Sequence, residues 1–470
     1  MAIKKILRNY IKMIKTISPI DDSVYYSAEE NNENDIEKTL NLAKQASTEW
    51  SVLTVQERAK YVSSFVNEIS KDKNDIALEI TWQMGRPISQ SPGEISGFVE
   101  RATYMIEIAE EALASQELKD QSGFKRWMER VPLGVLTVLS PWNYPFLTSV
   151  NAIVPALMAG NTVILKHSFQ TPLVAERYAK AAKKAGFPKG VFQILHLNHK
   201  NTAHLIGHPK VDAVLFTGSV TGGLAIQNSL MNKFIPCGLE LGGKDPAYVR
   251  ADANLESTIE NLVDGSFFNS GQSCCGIERI YVHESLYDKF IDGFVDITKM
   301  YRLGNPLQSG INIGPMVKTS AANFVRSQID EAISKGARSL VDESMFTLSK
   351  KDTPYLSPHV LVDVNHNMNV MTEESFGPVV GIMKVKNDEE AISLMNDSQY
   401  GLTASLWTQD IDQAQYLGCK IETGTVYMNR CDYLDPALAW TGVKNSGRGV
   451  TLSKVGYDHV TRVKSFHFRK

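Results

Sequence analysis

Cysteine is scarce in this chain. Only Cys237, Cys274, Cys275, Cys419 and Cys431 occur in 470 residues, and no two stand in a CxxC pair. An odd count without paired spacing excludes a disulfide framework and a structural zinc site, so no metal is expected and a reducing, cytoplasmic setting is. Surplus charge is missing too. Lys and Arg number 49 against 52 Asp and Glu, a net charge of −3, which leaves no electrostatic case for nucleic acid or a membrane surface as partner. Long apolar runs are also absent. The best, Asn151 to Leu165, is broken by Pro155, Gly160 and Asn161, short of the roughly 20 residues that span a bilayer. The opening Met1-Ala2-Ile3-Lys4-Lys5-Ile6-Leu7-Arg8 is basic but lacks the continuous apolar centre of a secretory signal. It reads as an extension, and residues 1–16 as a flexible arm.

What is present belongs to an ordinary globular protein, too long for one core and therefore built in two or three lobes. Three stretches carry chemistry. In Asn269-Ser270-Gly271-Gln272-Ser273-Cys274-Cys275-Gly276, a glycine shortly before a cysteine suggests a close backbone approach that aims a thiolate into a cleft. A buried cysteine is more often inert, so this stretch alone decides little. Glu240-Leu241-Gly242-Gly243-Lys244 offers a carboxylate as general base for water attack on a thioester. Ser140-Pro141-Trp142-Asn143-Tyr144-Pro145 offers an amide donor for an oxyanion, held between prolines. Nucleophile, base and oxyanion donor together are the parts of an acyl-transfer site.

Pro141-Trp142-Asn143-Tyr144-Pro145, Phe216-Thr217-Gly218-Ser219, Glu240-Leu241-Gly242-Gly243-Lys244, Gly271-Gln272-Ser273-Cys274 and Glu374-Ser375-Phe376-Gly377-Pro378 resemble, in order and approximate spacing, the motif set of the NAD(P)-dependent aldehyde dehydrogenase superfamily. The resemblance implies the hydrolytic branch rather than the CoA-acylating one, because Glu240 stands 34 residues before Cys274. It implies Cys274 as nucleophile, Glu240 as base for thioester hydrolysis and Asn143 as oxyanion donor. It implies a nicotinamide dinucleotide held by Trp142, Lys166, Gly218, Ser219, Gly223, Leu241, Gly242, Glu374 and Phe376. Many strictly NAD-using members carry a glutamate three positions after the lysine, where this chain has Phe169, so the cofactor is NAD or NADP.

Local patterns fit that frame. Helical spacing runs over 36–50, 54–69, 72–84 and 94–114. Gln121-Ser122-Gly123 marks a hairpin within 115–132. Apolar runs at 134–139, 161–166, 190–195 and 211–217 alternate with helices, which argues a parallel sheet with ligands beyond its strand carboxyl ends. A second α/β lobe restarts after Gly243, with 353–365 irregular and strands at 401–407 and 424–429. The expected fold class is α/β and aldehyde-dehydrogenase-like: a Rossmann-type cofactor domain (1–114 and 133–240), an α/β catalytic domain (241–455) and a β oligomerisation arm (115–132 and 456–470). The resemblance implies that the terminal strand pairs across a subunit boundary, giving a homodimer or homotetramer.

Tyr144, Asn151, Ser273, Cys275, Tyr433 and Trp440 are the expected substrate wall. They suit a small to medium aldehyde with an apolar body. No Arg pair for a dicarboxylate semialdehyde is apparent, and Asp432 and Asp435 read as solvated loop acids before they read as an anchor for a cation. A succinate-semialdehyde or aminoaldehyde dehydrogenase, a non-catalytic cofactor-binding homologue and a cysteine hydrolase are the alternatives.

Overall fold

The computed structural model describes residues 12–119 and 121–470. Residues 1–11, where most of the expected arm falls, lie outside them. The rest of that arm is ordered differently from the expectation. Met13–Ile17 is a strand paired antiparallel with Val24–Glu29. Ile14 and Thr16 are buried, and the Thr16 hydroxyl donates to the Phe169 carbonyl at 2.8 Å. Alternation of buried and exposed residues over five positions was too short a pattern to separate from an arm.

Two sheets organise the described chain. The first has six strands in the order Gly447–Arg448, Cys237–Glu240, Ala213–Thr217, Val135–Ser140, Thr162–His167, Phe192–Ile194. Its pairs are parallel except at the Gly447–Arg448 edge. Every residue of Val135–Ser140 is buried, as expected of a central strand covered by helices on both faces. The covering helices start where the sequence offers caps. Asn32 and Asp35 form a capping box ahead of Glu33–Trp50, and Thr54 and Glu57 another ahead of Val55–Lys71, each satisfying otherwise orphaned N–H groups. Pro145 opens the helix Pro145–Met158, where its missing N–H costs nothing.

The second sheet has seven strands in the order Arg338–Ser339, His359–Val362, Val379–Val385, Ile277–His283, Asp245–Val249, Thr403–Trp407, Thr425–Met428. His359–Val362 lies inside the stretch expected to be irregular. It is wholly buried and parallel to Val379–Val385. Flanking prolines at 354 and 358 hid a four-residue run whose reason for being a strand is its burial, not its pattern.

The expected hairpin is present as Gln116–Glu117 and Phe124–Pro132. The terminal strand Thr461–Arg469 pairs along all nine residues of Phe124–Pro132 and forms the outer strand of that three-stranded sheet. Trp127 supplies the reason. Its ring stacks on Phe466 at 4.4 Å and meets Phe468 edge-on at 4.9 Å, the aromatic cross-strand packing that stabilises such ladders. The chain also returns to the first lobe earlier than the expected boundary at 455. Gly447–Arg448 extends the six-stranded sheet, and Trp440 and Leu452 join the core that holds Phe65, Phe98 and Phe146.

Candidate active site

The strand carboxyl ends of the six-stranded sheet and the strand amino ends of the seven-stranded sheet face one seam. The Asn143 loop follows Val135–Ser140, Thr217 ends Ala213–Thr217, and Glu240 ends Cys237–Glu240. From the other side comes the loop between Leu255–Phe267 and Ile277–His283, which carries Cys274. Asn269, Ser270 and Gly271 all take positive φ, 53°, 58° and 70°. Three successive left-handed residues are strained for non-glycine types, and side chains hold them there. Arg86 Nε donates to Asn269 Oδ1 at 3.1 Å. Asn269 Nδ2 donates to Gln272 O at 3.2 Å, and Ser270 Oγ to Gly314 O at 3.0 Å. A Cβ on Gly271 would meet Gly377 O at 2.3 Å, so only glycine lets the cysteine loop lie on the Glu374–Pro378 loop.

Two cavities meet at Cys274. A cleft of about 290 Å³ is lined by Trp142, Asn143, Gly218, Ser219, Leu241, Gly242, Glu374 and Phe376 among others. A cavity of about 410 Å³ is lined by Tyr144, Asn151, Ser273, Cys275, Tyr433 and Trp440, with Arg86, Arg101 and Asp432. Cys274, Glu240, Leu241, Thr148 and Thr217 line both.

Asn143 is buried, 4 % exposed, and its amide Nδ2 donates to Gln272 O at 3.3 Å, which ties the amide to the cysteine loop. Glu240 accepts from the Thr217 hydroxyl at 3.1 Å and from the Thr451 hydroxyl. Burial raises its carboxyl above the usual range, against the lowering effect of Thr451, Thr217 and Arg101. A carboxylate moved toward neutrality is suited to general-base work. Cys275 is different from its neighbour. Its thiol donates to Asp432 Oδ1 at 2.9 Å, and a hydrogen bond with Cys274, burial and the Asp432 charge hold its pKa well up.

The cleft suits a dinucleotide. The ten-residue helix Val220–Ser229 begins at the carboxyl end of Ala213–Thr217, with Ser219 as its cap, the setting in which a helix start receives phosphate. A Cβ on Gly242 would meet the Glu374 carboxylate at 2.3 Å, and the Trp142 and Phe376 rings stand edge-to-face at 5.7 Å. Glu374 accepts from the Gly243 N–H at 3.0 Å, and burial followed by the charge of Glu278 pushes it up to about 8. Two expected cofactor residues lie outside the cleft lining. Gly223 sits in the first turn of Val220–Ser229, where a Cβ would strike Leu241 at 2.8 Å, so its place is helix–strand packing. Lys166 lies near the end of Thr162–His167 with its ammonium 4.9 Å over the Phe169 ring, and burial lowers it to about 8.

Several site residues carried no sequence signal in the motifs. Arg86 pairs with Glu94 at 2.5 Å, both side chains almost fully enclosed. It also donates to the Asn143 carbonyl, and Glu94 accepts from the Phe146 and Leu147 N–H groups at 2.9 Å each. Glu278 accepts from the Ser375 and Phe376 N–H groups and pairs with buried Lys244. Glu278-Arg279 inside an otherwise apolar run was the one available hint, since buried charges need partners. Two substrate-side expectations change. The cavity does contain two guanidiniums, Arg86 and Arg101, although Arg86 is engaged by Glu94 and the backbone. Asp435 is exposed, but Asp432 is no solvated loop acid: it lines the cavity and accepts from Ser273 Oγ at 3.0 Å.

Comparison with known proteins agrees with this architecture. Residues 7–466 match the model of the Aldehyde dehydrogenase family. An aminoaldehyde dehydrogenase of Pisum sativum is 31% identical over 462 residues, covering 96% of this chain and 92% of that protein. Lactaldehyde dehydrogenase of Escherichia coli K12 is 32% identical over 446 residues, covering 94% and 92%. Among solved structures, betaine aldehyde dehydrogenase of Staphylococcus aureus in complex with NAD+ superposes with a TM-score of 0.92 at 30% identity, over 97% of this chain and 92% of that one. An NADP dependent enzyme of Escherichia coli gives 0.94 at 28% identity, over 98% and 95%. A dinucleotide-type cleft that opens onto a second cavity at a cysteine is the arrangement of a nicotinamide-dependent oxidoreductase. The chain belongs to the aldehyde dehydrogenase family, and its reaction is NAD(P)-dependent oxidation of an aldehyde.

Proposed function

We propose that the aldehyde is oxidised to its carboxylic acid through a covalent thioester on Cys274. The observation that carries this reading is that Cys274 and Glu240 line both the cofactor cleft and the second cavity, so one thiol and one carboxylate face both reactants. Cys274 Sγ adds to the aldehyde carbon, and the Asn143 amide and the Cys274 N–H donate to the resulting oxyanion. When bound, NAD or NADP accepts the hydride that leaves that carbon. Trp142, Gly218, Ser219, Leu241, Gly242, Glu374 and Phe376 would hold it, and Lys166 would contact the adenosine ribose. Glu240 then takes a proton from water as the water attacks the thioester, and the carboxylate departs with regeneration of the thiol. Cys275, kept neutral beside Asp432, does not compete as nucleophile.

The six-stranded lobe serves the cofactor and the seven-stranded lobe presents the cysteine. The substrate is a small to medium aldehyde with an apolar body. The protein works in the cytoplasm as a homodimer or homotetramer. Support for assembly comes from Thr461–Arg469, an edge strand with Val463 and Phe468 exposed, which offers a second chain a row of unpaired backbone groups.

Cys274→Ser abolishes formation of reduced cofactor from any aldehyde, measured by absorbance at the nicotinamide band; full activity in that variant overturns the assignment. Glu240→Gln keeps a first-turnover burst and lowers steady turnover by about 100-fold or more.

A further inference from the structure

The wall beside the cysteine contains polar groups that the reaction above does not use. Asp432 accepts from both neighbours of Cys274: from Ser273 Oγ at 3.0 Å and from Cys275 Sγ at 2.9 Å. Both bonds go to Oδ1. Among the described residues, Oδ2 has no hydrogen-bond partner, and it is not one of the fully enclosed polar atoms. The Tyr144 hydroxyl is buried and has no hydrogen-bond partner among the described residues. Ser273, close to it, already donates to Asp432. Burial and then the Asp432 charge hold that hydroxyl's pKa well above the usual value, so it keeps its proton. Tyr144, Ser273 and Asp432 line the same cavity as Cys274. A buried phenol without a partner is costly, and such orphans in a native structure call for an explanation.

The chemistry of these groups selects what fits between them. Asp432 Oδ2 accepts and the Tyr144 hydroxyl donates. A hydroxyl group does both at once, giving its proton to the carboxylate and accepting from the phenol. An ammonium has donors only and leaves the phenol proton unpaired. The Arg86 guanidinium 4.5 Å over the Tyr144 ring is balanced by Glu94, and Arg101 shares the cavity lining with Glu100 and Glu240, so the donor and acceptor pattern rather than net charge makes the selection. A carboxylate is repelled by Asp432. Because Asp432 is bonded to the residues on either side of Cys274, a group that reaches it stands only a few atoms from the reacting carbon.

We propose that this cavity selects hydroxyaldehydes, with a hydroxyl on the second or third carbon received by Asp432 and Tyr144. The inference rests on the catalytic reading given above, with Cys274 at the reacting carbon. A site that hydrogen-bonds a substrate hydroxyl discriminates strongly against the analogue without it.

The test compares kcat/KM for propanal, 2-hydroxypropanal, 3-hydroxypropanal and 3-aminopropanal with saturating cofactor. At least one hydroxyaldehyde is expected to exceed propanal by about tenfold or more. Tyr144→Phe and Asp432→Asn are expected to bring that ratio to within about threefold of unity, whatever they do to the rate on propanal. Asp432→Asn also disturbs the cysteine loop. Tyr144→Phe removes an oxygen that makes no hydrogen bond among the described residues, so it reads the subsite without that complication. A ratio near one in the wild type overturns the proposal, as does an unchanged ratio in Tyr144→Phe. Preference for 3-aminopropanal that disappears in Asp432→Asn assigns the acid to a cation and overturns it too. If propanal is turned over while the hydroxyl gives no advantage, the catalytic reading stands and only the subsite falls. If no aldehyde reduces the cofactor, the catalytic reading falls and takes the subsite with it.

Discussion

Beneath the oxyanion loop and beneath the Glu374–Pro378 loop stand two buried ion pairs, Arg86–Glu94 and Lys244–Glu278. They are built alike. In each, a carboxylate accepts two consecutive backbone N–H groups, Phe146 and Leu147 in one case and Ser375 and Phe376 in the other, while a buried cation balances its charge. They differ in reach. Lys244 donates to Glu278 and to Ser375 Oγ, and so stays within the cofactor wall. Arg86 continues to the Asn143 carbonyl and to Asn269, and so fastens the oxyanion donor to the cysteine loop. Buried pairs are a poor source of stability compared with apolar packing, but removing one partner is severe. Their use here is to fix backbone where a shift of an ångström is costly.

The sharpest way to break the symmetry is Arg86→Met. It strands the Glu94 charge and frees both loops, so urea unfolding is expected to show a loss of about 3–5 kcal/mol, and kcat falls more than KM for cofactor rises. Glu278→Gln is expected to act on the other side. It loosens the Phe376 wall and raises KM for the dinucleotide by about tenfold, one weakened charged hydrogen bond's worth, with a smaller change in kcat. Equal effects of the two variants on both parameters remove the distinction. The smallest effect is a pH dependence on the cofactor side alone. Burial lowers Lys166 to about 8, so its charge is present below that pH and lost above it. The ratio of kcat/KM for NADP to that for NAD therefore falls, by about threefold, as pH rises through 8, and Lys166→Met flattens the profile.

The same contrast separates what was legible in the sequence from what was not. Cys274, Glu240, Asn143 and the cofactor-side glycines stand in short motifs whose glycines and prolines announce unusual backbone. The parallel sheets were visible as apolar runs. Arg86 and Glu94 were not, because each sits at a helix end where charged residues are ordinary, and only folding shows that both are enclosed. Asp432 was misjudged for the same reason: a loop acid is solvated by default, and the contacts that bury it come from residues more than 150 positions away. Met13–Ile17 and His359–Val362 were missed because each is too short to show its period.

The late return of the chain to the first lobe sets an order of assembly. Thr451, which holds the Glu240 carboxylate, lies 211 residues downstream of it, and the Tyr457 hydroxyl closes on the Met105 carbonyl across 352. On the ribosome the six-stranded sheet emerges long before its own edge strand and before the hydroxyl that orients its acid. Contacts so distant in sequence form slowly, and a domain left open during synthesis exposes apolar surface to aggregation. The nascent chain thus passes through a long interval with its first core unfinished, and that interval, rather than the completed molecule, is where a chaperone has most to protect.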